Sequence, residues 1–95
     1  MAGYRPDIPP HVAEVVRHLP PEVKRGVKAA LRALCDGSAR GEPLQRELKG
    51  FLKYRVKRYR VVYALDRSRK IIRIVAVGHR RGVYEELADL VRNSR

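Results

Sequence analysis

Hydrophobic positions along this chain follow two rhythms, one after the other. Val12, Val15, Val16 and Leu19 recur at i, i+3, i+4 and i+7, which predicts a helix from about Pro10 to Leu19. Pro20 disfavours helical geometry in Leu19 and has no N–H to donate, so the helix stops there. Pro21 is tolerated at the first position of a second helix, with Glu22 near the positive end of its dipole. Val23, Val27, Ala30, Leu31 and Leu34 form that helix's apolar stripe, and Lys24, Arg25, Lys28 and Arg32 fall on the other side. Matching stripes on either side of a two-proline joint predict an αα-hairpin.

After the turn residues Asp36-Gly37-Ser38 and Gly41-Glu42-Pro43 the period changes to two. Strands are predicted at about 52–56, 59–65 and 70–77, with the polar turn Asp66-Arg67-Ser68-Arg69 between the last two. Tyr59, Val61, Tyr63 and Leu65 point one way, and Arg60, Val62 and Ala64 the other. Ile72, Ile74 and Ala76 alternate with Ile71, Arg73, Val75 and Val77, so the last strand is apolar on nearly both faces and is expected at the centre of the sheet. Tyr4 to Ile8 reads as a short edge strand, weakened by Pro6. Gly78 ends the last strand, and Val83, Leu87, Leu90 and Val91 pattern a final helix with Glu85 and Glu86 in its first turn. The expected fold is α+β: an N-terminal αα-hairpin packed on a curved antiparallel β-sheet, closed by a short C-terminal helix, with residues 1–95 forming one domain.

Charge changes the picture. Twelve basic residues lie between Lys49 and Arg81, opposed only by Asp66, so this stretch carries +11 of the formal net charge of +12. Positive charge concentrated on one β-rich segment points to a polyanion. Nucleic acid or an acidic protein segment is the expected partner. A membrane surface fits less well, because the basic stretch reads as strands and not as an amphipathic helix.

No run approaches the roughly 20 apolar residues of a membrane span, and the N-terminal MAGYRPDIPP has no signal-like apolar core; a cytoplasmic location is expected. The single cysteine, Cys35, beside Leu31 and Leu34, reads as a small buried hydrophobe in preference to a reactive thiol.

His11, His18 and His79 have no metal-ligand spacing, and the chain has no Cys-x-x-Cys motif, paired carboxylates or phosphate-cradling glycine loop. A metal-dependent hydrolase or P-loop protein is therefore unsupported, and no cofactor is expected. What remains is a set of cations and phenols. Such a set can cleave RNA if the ribose 2′-hydroxyl supplies the nucleophile and the protein removes its proton, stabilises charge on phosphorus and assists the leaving 5′-oxygen. Neighbouring cations favour a neutral lysine, which makes Lys53, close to Arg55, Lys57, Arg58 and Arg60, a plausible base. Lys53 and Arg55 share a strand face. On these residues alone a plain nucleic-acid-binding surface remains the other reading.

The segments LQRELKGFLKYRVKRYRVVYALD and IIRIVAVGHRRGVYEEL together resemble the RelE/ParE family of type II toxins, closer to the RelE branch. The matching features are a Leu-Lys-Gly lead-in to the first main strand, a second strand reading Tyr-Arg, two apolar residues and Tyr, and Gly-His-Arg-Arg-x-x-Tyr after the last. They span roughly residues 44–87, and the helical hairpin before them also fits. The resemblance implies a toxin neutralised by a cognate acidic antitoxin. In the RelE branch it implies metal-independent cleavage of mRNA in the ribosomal A site, leaving a cyclic phosphate. The ParE branch instead inhibits DNA gyrase and usually lacks the catalytic set.

Carried over by position, Lys53 and Arg55 match the paired basic residues that activate the 2′-hydroxyl, although the second is commonly lysine. Arg60 matches the transition-state arginine. Arg80, with Arg81 as the alternative alignment, matches the proton donor or charge stabiliser, and Tyr84 matches the tyrosine that stacks on the mRNA base. The short hairpin between Arg55 and Tyr59 and the short spacing from Arg80 to Tyr84 depart from the family pattern and affect exact roles. His79 reads as a loop-bonded residue or as a base in a variant mechanism. Lys49, Lys57, Arg58, Arg67, Arg69, Arg73, His79 and Arg81 are expected to contact RNA around the reactive set. A gyrase inhibitor and a non-catalytic RNA-binding module are the alternatives.

Overall fold

The computed structural model describes residues 3–80 and 82–93. In chain order these form β1 (Arg5–Asp7), α1 (Pro10–Arg17), α2 (Pro21–Asp36), β2 (Glu42–Pro43), a 3-10 turn (Arg46–Leu48), β3 (Leu52–Val56), β4 (Tyr59–Asp66), β5 (Ile71–His79) and α3 (Val83–Asn93). The fold is α+β. No helix among the described residues is long and apolar enough to cross a membrane.

Both hairpin helices start on proline, with Pro10 and Pro21 in the first turn. Helix α1 stops at Arg17, two residues short of the predicted Leu19, because its end tightens: His18 N–H donates to Val15 O at 3.2 Å and Leu19 N–H to Val16 O at 3.1 Å. The residue before Pro20 is thereby free to extend. Helix α2 buries Val23, Val27, Ala30 and Leu34, and ends on Gly37 at φ 85°, a left-handed conformation that glycine adopts without a Cβ clash.

The five strands lie in the order β1-β5-β4-β3-β2. The predicted meander of β3, β4 and β5 is antiparallel, but the sheet is mixed: β1 pairs parallel with β5, from Arg5 opposite Ile71 to Asp7 opposite Arg73. Strand β5 is interior, as its apolar faces require, while β4 occupies the middle. It also runs on through Gly78 to His79 and does not end at Val77.

The sheet separates two apolar clusters. On one face Val61, Tyr63, Ile72, Ile74 and Val77 pack beneath Val12, Val27 and Leu34 of the hairpin. On the other, Val62 meets Leu48 and the α3 residues Val83, Leu87 and Ala88, with Val75 and Ala76 alongside. A register shift between Val62 and Tyr63 explains a departure from the predicted alternation. Val62 pairs with Ala76 and Tyr63 with Ile74, so Val75 is an extra residue on β5. Beyond it every side chain changes face: Val77 joins Ile72 and Ile74, and Ala76 does not.

Candidate functional site

Alternation on β3 sends Leu52, Tyr54 and Val56 to the hairpin core and leaves Lys53 and Arg55 on the α3 face. The two-residue turn Lys57-Arg58 returns the chain so that Arg60 pairs with Arg55, and Val62 with Lys53. Three cations thus project from two adjacent strands onto one face. They line a cleft with Tyr54, Arg40 and Glu42. The Arg60 guanidinium is half-buried and donates from Nη1 to Tyr59 O at 3.0 Å and to Lys57 O at 3.4 Å, which ties its position to the hairpin backbone.

Tyr84 reaches the same face from the first turn of α3. Val83 seats that turn against Gly78, where a Cβ would stand 3.2 Å from Val83 Cβ. Lys53 Nζ lies 6.0 Å from the centroid of the Tyr84 ring, the outer limit of a cation–π contact. The Tyr84 hydroxyl is buried and has no hydrogen-bond partner among the described residues. Burial pushes its pKa above the ordinary tyrosine value; the positive charge of Arg60 draws it down, without a hydrogen bond of good geometry, and the Glu42 charge adds a small upward push. A neutral phenol beside a row of cations suits stacking on a base and bonding to an anionic oxygen.

Lys53, Arg55, Arg60 and Tyr84 are therefore brought together. Arg80 is exposed at the end of β5, with its backbone N–H donating to Arg58 O at 2.8 Å, so the strand exit is pinned to the tip of the β3–β4 hairpin. Arg81 lies outside the described residues.

His79 is placed otherwise than a role in the reactive set requires. Its ring meets Tyr59 edge-on, centroids 5.7 Å apart, and Tyr59 packs against the hairpin-side core. The extra residue at Val75 decides this, because it turns His79 to that face and sets Gly78 opposite Arg60.

Of the other basic residues, Arg67, Arg69 and Arg73 lie away from the cleft. Lys49 and Arg58 are exposed, and Lys57 Nζ lies 3.7 Å from Glu22. Arg67 and Arg69 sit in the β4–β5 turn, roughly 20 Å along β4 from Arg60. Arg69 is 4.0 Å from Asp66, and Arg73 is 3.2 Å from Asp7 at the β1 edge. Exposed pairs like these are weak, and both arginines remain open to a polyanion, but at the far end of the sheet.

Arg40 and Glu42 were missed from sequence. They flank Gly41 in a segment that reads as a turn, and only the pairing of Glu42 with Lys53 brings it to the cleft. Among the described residues, Glu42 is the one carboxylate lining this cleft. Among the described residues no group of three or more His, Cys, Asp and Glu side chains is placed to hold a metal ion.

The sequence model of the ParE toxin of the type II toxin-antitoxin system, parDE, matches residues 10–84. No curated protein matches the chain. Among solved structures, the toxin–antitoxin complex RelBE2 from Mycobacterium tuberculosis is similar at 27% identity with a TM-score of 0.72, covering 84% of this chain and 94% of that one. A mutant of E. coli toxin RelE in the free state superposes at a TM-score of 0.75 and 19% identity, covering 97% and 98%. The intact E. coli RelBE complex gives a TM-score of 0.61 at 21% identity, covering 81% and 96%.

Proposed function

Because this chain belongs to the RelE/ParE family of type II toxin–antitoxin toxins, we propose that it is a ribosome-dependent mRNA endonuclease that inhibits translation. The observation that carries this reading is the convergence of Lys53, Arg55 and Arg60 in one cleft, with Tyr84 beside Lys53 on the same face of the sheet. In the proposed step a base takes the proton of the ribose 2′-hydroxyl, the 2′-oxygen attacks phosphorus, and the bond to the 5′-oxygen breaks. The products are a 2′,3′-cyclic phosphate and a 5′-hydroxyl, which recovers a proton from solvent. Lys53, in its neutral form, and Glu42 are the groups of the cleft able to take the first proton. Arg55 and Arg60 offset the charge that builds on the phosphoryl oxygens, a role worth about 10²–10³ in rate for one well-placed donor. Arg80 stabilises the leaving oxygen as a cation. Tyr84 stacks on the base.

The proposed physiological partners are the ribosomal A site with its mRNA and an acidic antitoxin. The antitoxin segment would fold over the basic surface, with association steered by charge.

The test is expression without an antitoxin, followed by mapping of mRNA 5′ ends. New cuts in translated codons are expected, and Lys53→Ala, Arg60→Ala and Arg80→Ala should each diminish them. Growth arrest without such cuts, or cutting that survives all three substitutions, would sink the reading. A second reading, inhibition of DNA gyrase through protein–protein contact, is favoured by one observation: the family match is to the ParE toxin. Loss of supercoiling activity when gyrase meets stoichiometric toxin would select it.

A further inference from the structure

One wall of the cleft does not belong to the basic stretch at all. The Arg40-Gly41-Glu42 segment, which leads into edge strand β2, joins the cleft, and its position depends on a phenol buried on the opposite face. Tyr63 is 2% exposed beneath the helical hairpin. Its hydroxyl accepts the Gly41 N–H at 2.8 Å. Gly41 is itself buried, and a Cβ there would stand 2.5 Å from Tyr63 Oη and 2.6 Å from the Lys53 carbonyl oxygen. The approach is closed to any larger residue. One position on, Glu42 takes its place opposite Lys53; one position back, Arg40 is exposed and lines the cleft.

Arg40 has no carboxylate within ion-pair distance among the described residues, whereas Arg69, Arg73 and Arg92 do. Its charge therefore adds to that of Lys53, Arg55 and Arg60, with Glu42 opposing them in the same cleft. Arg40 lies just before edge strand β2, on the strand-edge side of the cleft, while Tyr84 approaches from α3. A cation there suits a phosphate beside the reacting one, which has no change of charge during the reaction. Such a contact lowers KM and leaves kcat alone.

We propose that Arg40 binds a phosphate neighbouring the scissile one, and that Tyr63 is its positioning residue, acting through the Gly41 N–H. The assignment rests on the nuclease reading for the identity of the polyanion.

Two measurements test it. In cleavage assays on mRNA-programmed ribosomes, Arg40→Gln should raise KM about tenfold with kcat held within about twofold, as for loss of one phosphate contact. Arg40→Lys should recover most of the loss. Tyr63→Phe should raise KM in the same direction, and the double variant should be no worse than Arg40→Gln alone, since both changes remove one contact. A wild-type KM for Arg40→Gln, or effects that multiply in the double variant, would overturn the proposal. The second measurement is binding of a single-stranded RNA twelve-mer across a salt series. Arg40→Gln should flatten the slope of log K against log salt by about 0.7. If wild type shows this Arg40-dependent slope and cuts no mRNA, the nuclease reading fails and the phosphate contact stands. If wild type cuts and the slope is unchanged, the contact fails.

Discussion

Arg55 stands directly opposite Arg60 in the β3–β4 ladder, so two guanidinium groups share one face of adjacent strands. Like charges placed so are destabilising, by about 0.2–1 kcal/mol for a cross-strand pair. The protein carries this repulsion in its free state and is relieved of it by an anion. Arg55→Thr, which also suits a strand, is expected to raise stability by about 0.2–1 kcal/mol in a low-salt urea titration. Inorganic phosphate should stabilise the wild type more than the variant. Equal stabilisation of both would remove the cleft as the anion's site.

Where α2 crosses the sheet, Gly26 meets Val56. A Cβ at Gly26 would fall 2.7 Å from Val56 Cγ1. Helix propensity favours Gly26→Ala by about 1 kcal/mol, but overpacking a β-branched neighbour costs about 1–3 kcal/mol. The packing term is the larger, and a net loss is expected by chemical denaturation. Combining the change with Val56→Ala should cost less than the sum of the two single variants, because they share one contact.

Two phenols with buried hydroxyls contribute to the pH dependence of stability at alkaline pH. Burial raises the pKa of Tyr63, against the Gly41 hydrogen bond, and that of Tyr84, against Arg60. The folded state then holds its phenolic protons at a pH where the unfolded chain, near the ordinary value of about 10, has released them. Stability is fully present below pH 10 and falls as pH rises through it. The measurement is a comparison: urea midpoints between pH 8 and 11 should drop less for Tyr84→Phe than for wild type.

Helix α3 delivers Tyr84, and its hold on the sheet is mostly Val83, Leu87 and Ala88. At its far end Arg92 bridges to Glu47 of the 3-10 turn at 3.2 Å and also pairs with Asp89. Leu87→Ala should cost about 2–5 kcal/mol as a cavity-forming change. Arg92→Ala, removing an exposed pair, should cost at most about 1 kcal/mol. A Leu87→Ala loss near that of Arg92→Ala would show that α3 is held by something other than its apolar stripe.

Much of this arrangement was legible in the chain because its signals are local. The stripes of α1 and α2, the proline joint and the alternation of β3 and β4 survive in the fold nearly residue for residue, and alternation alone puts Lys53, Arg55 and Arg60 on one face. What could not be read depends on distant partners. The edge strand expected at Tyr4 to Ile8 is present as Arg5–Asp7, but its parallel pairing with β5, across more than sixty residues, has no local sign. Strand β2 has two residues and no period of its own. The extra residue at Val75 leaves no compositional mark, since Val75, Ala76 and Val77 are all apolar, but it decides which face His79 joins. Arg40 and Glu42 looked like turn residues because the bond that places them comes from Tyr63, 22 positions from Gly41.

The brevity of β2 has another consequence. It pairs only with Leu52 and Lys53, so the outer edge of β3 from Tyr54 to Val56 has no strand partner among the described residues. An open edge of this kind is a template for a second copy of the chain, and charged side chains are a common guard against such growth. Arg55 stands on it, with Lys53 and Lys57 just beyond its two ends. The cations that would draw in a nucleic acid also keep the molecules apart, so neutralising them to disarm the toxin strips its protection against aggregation.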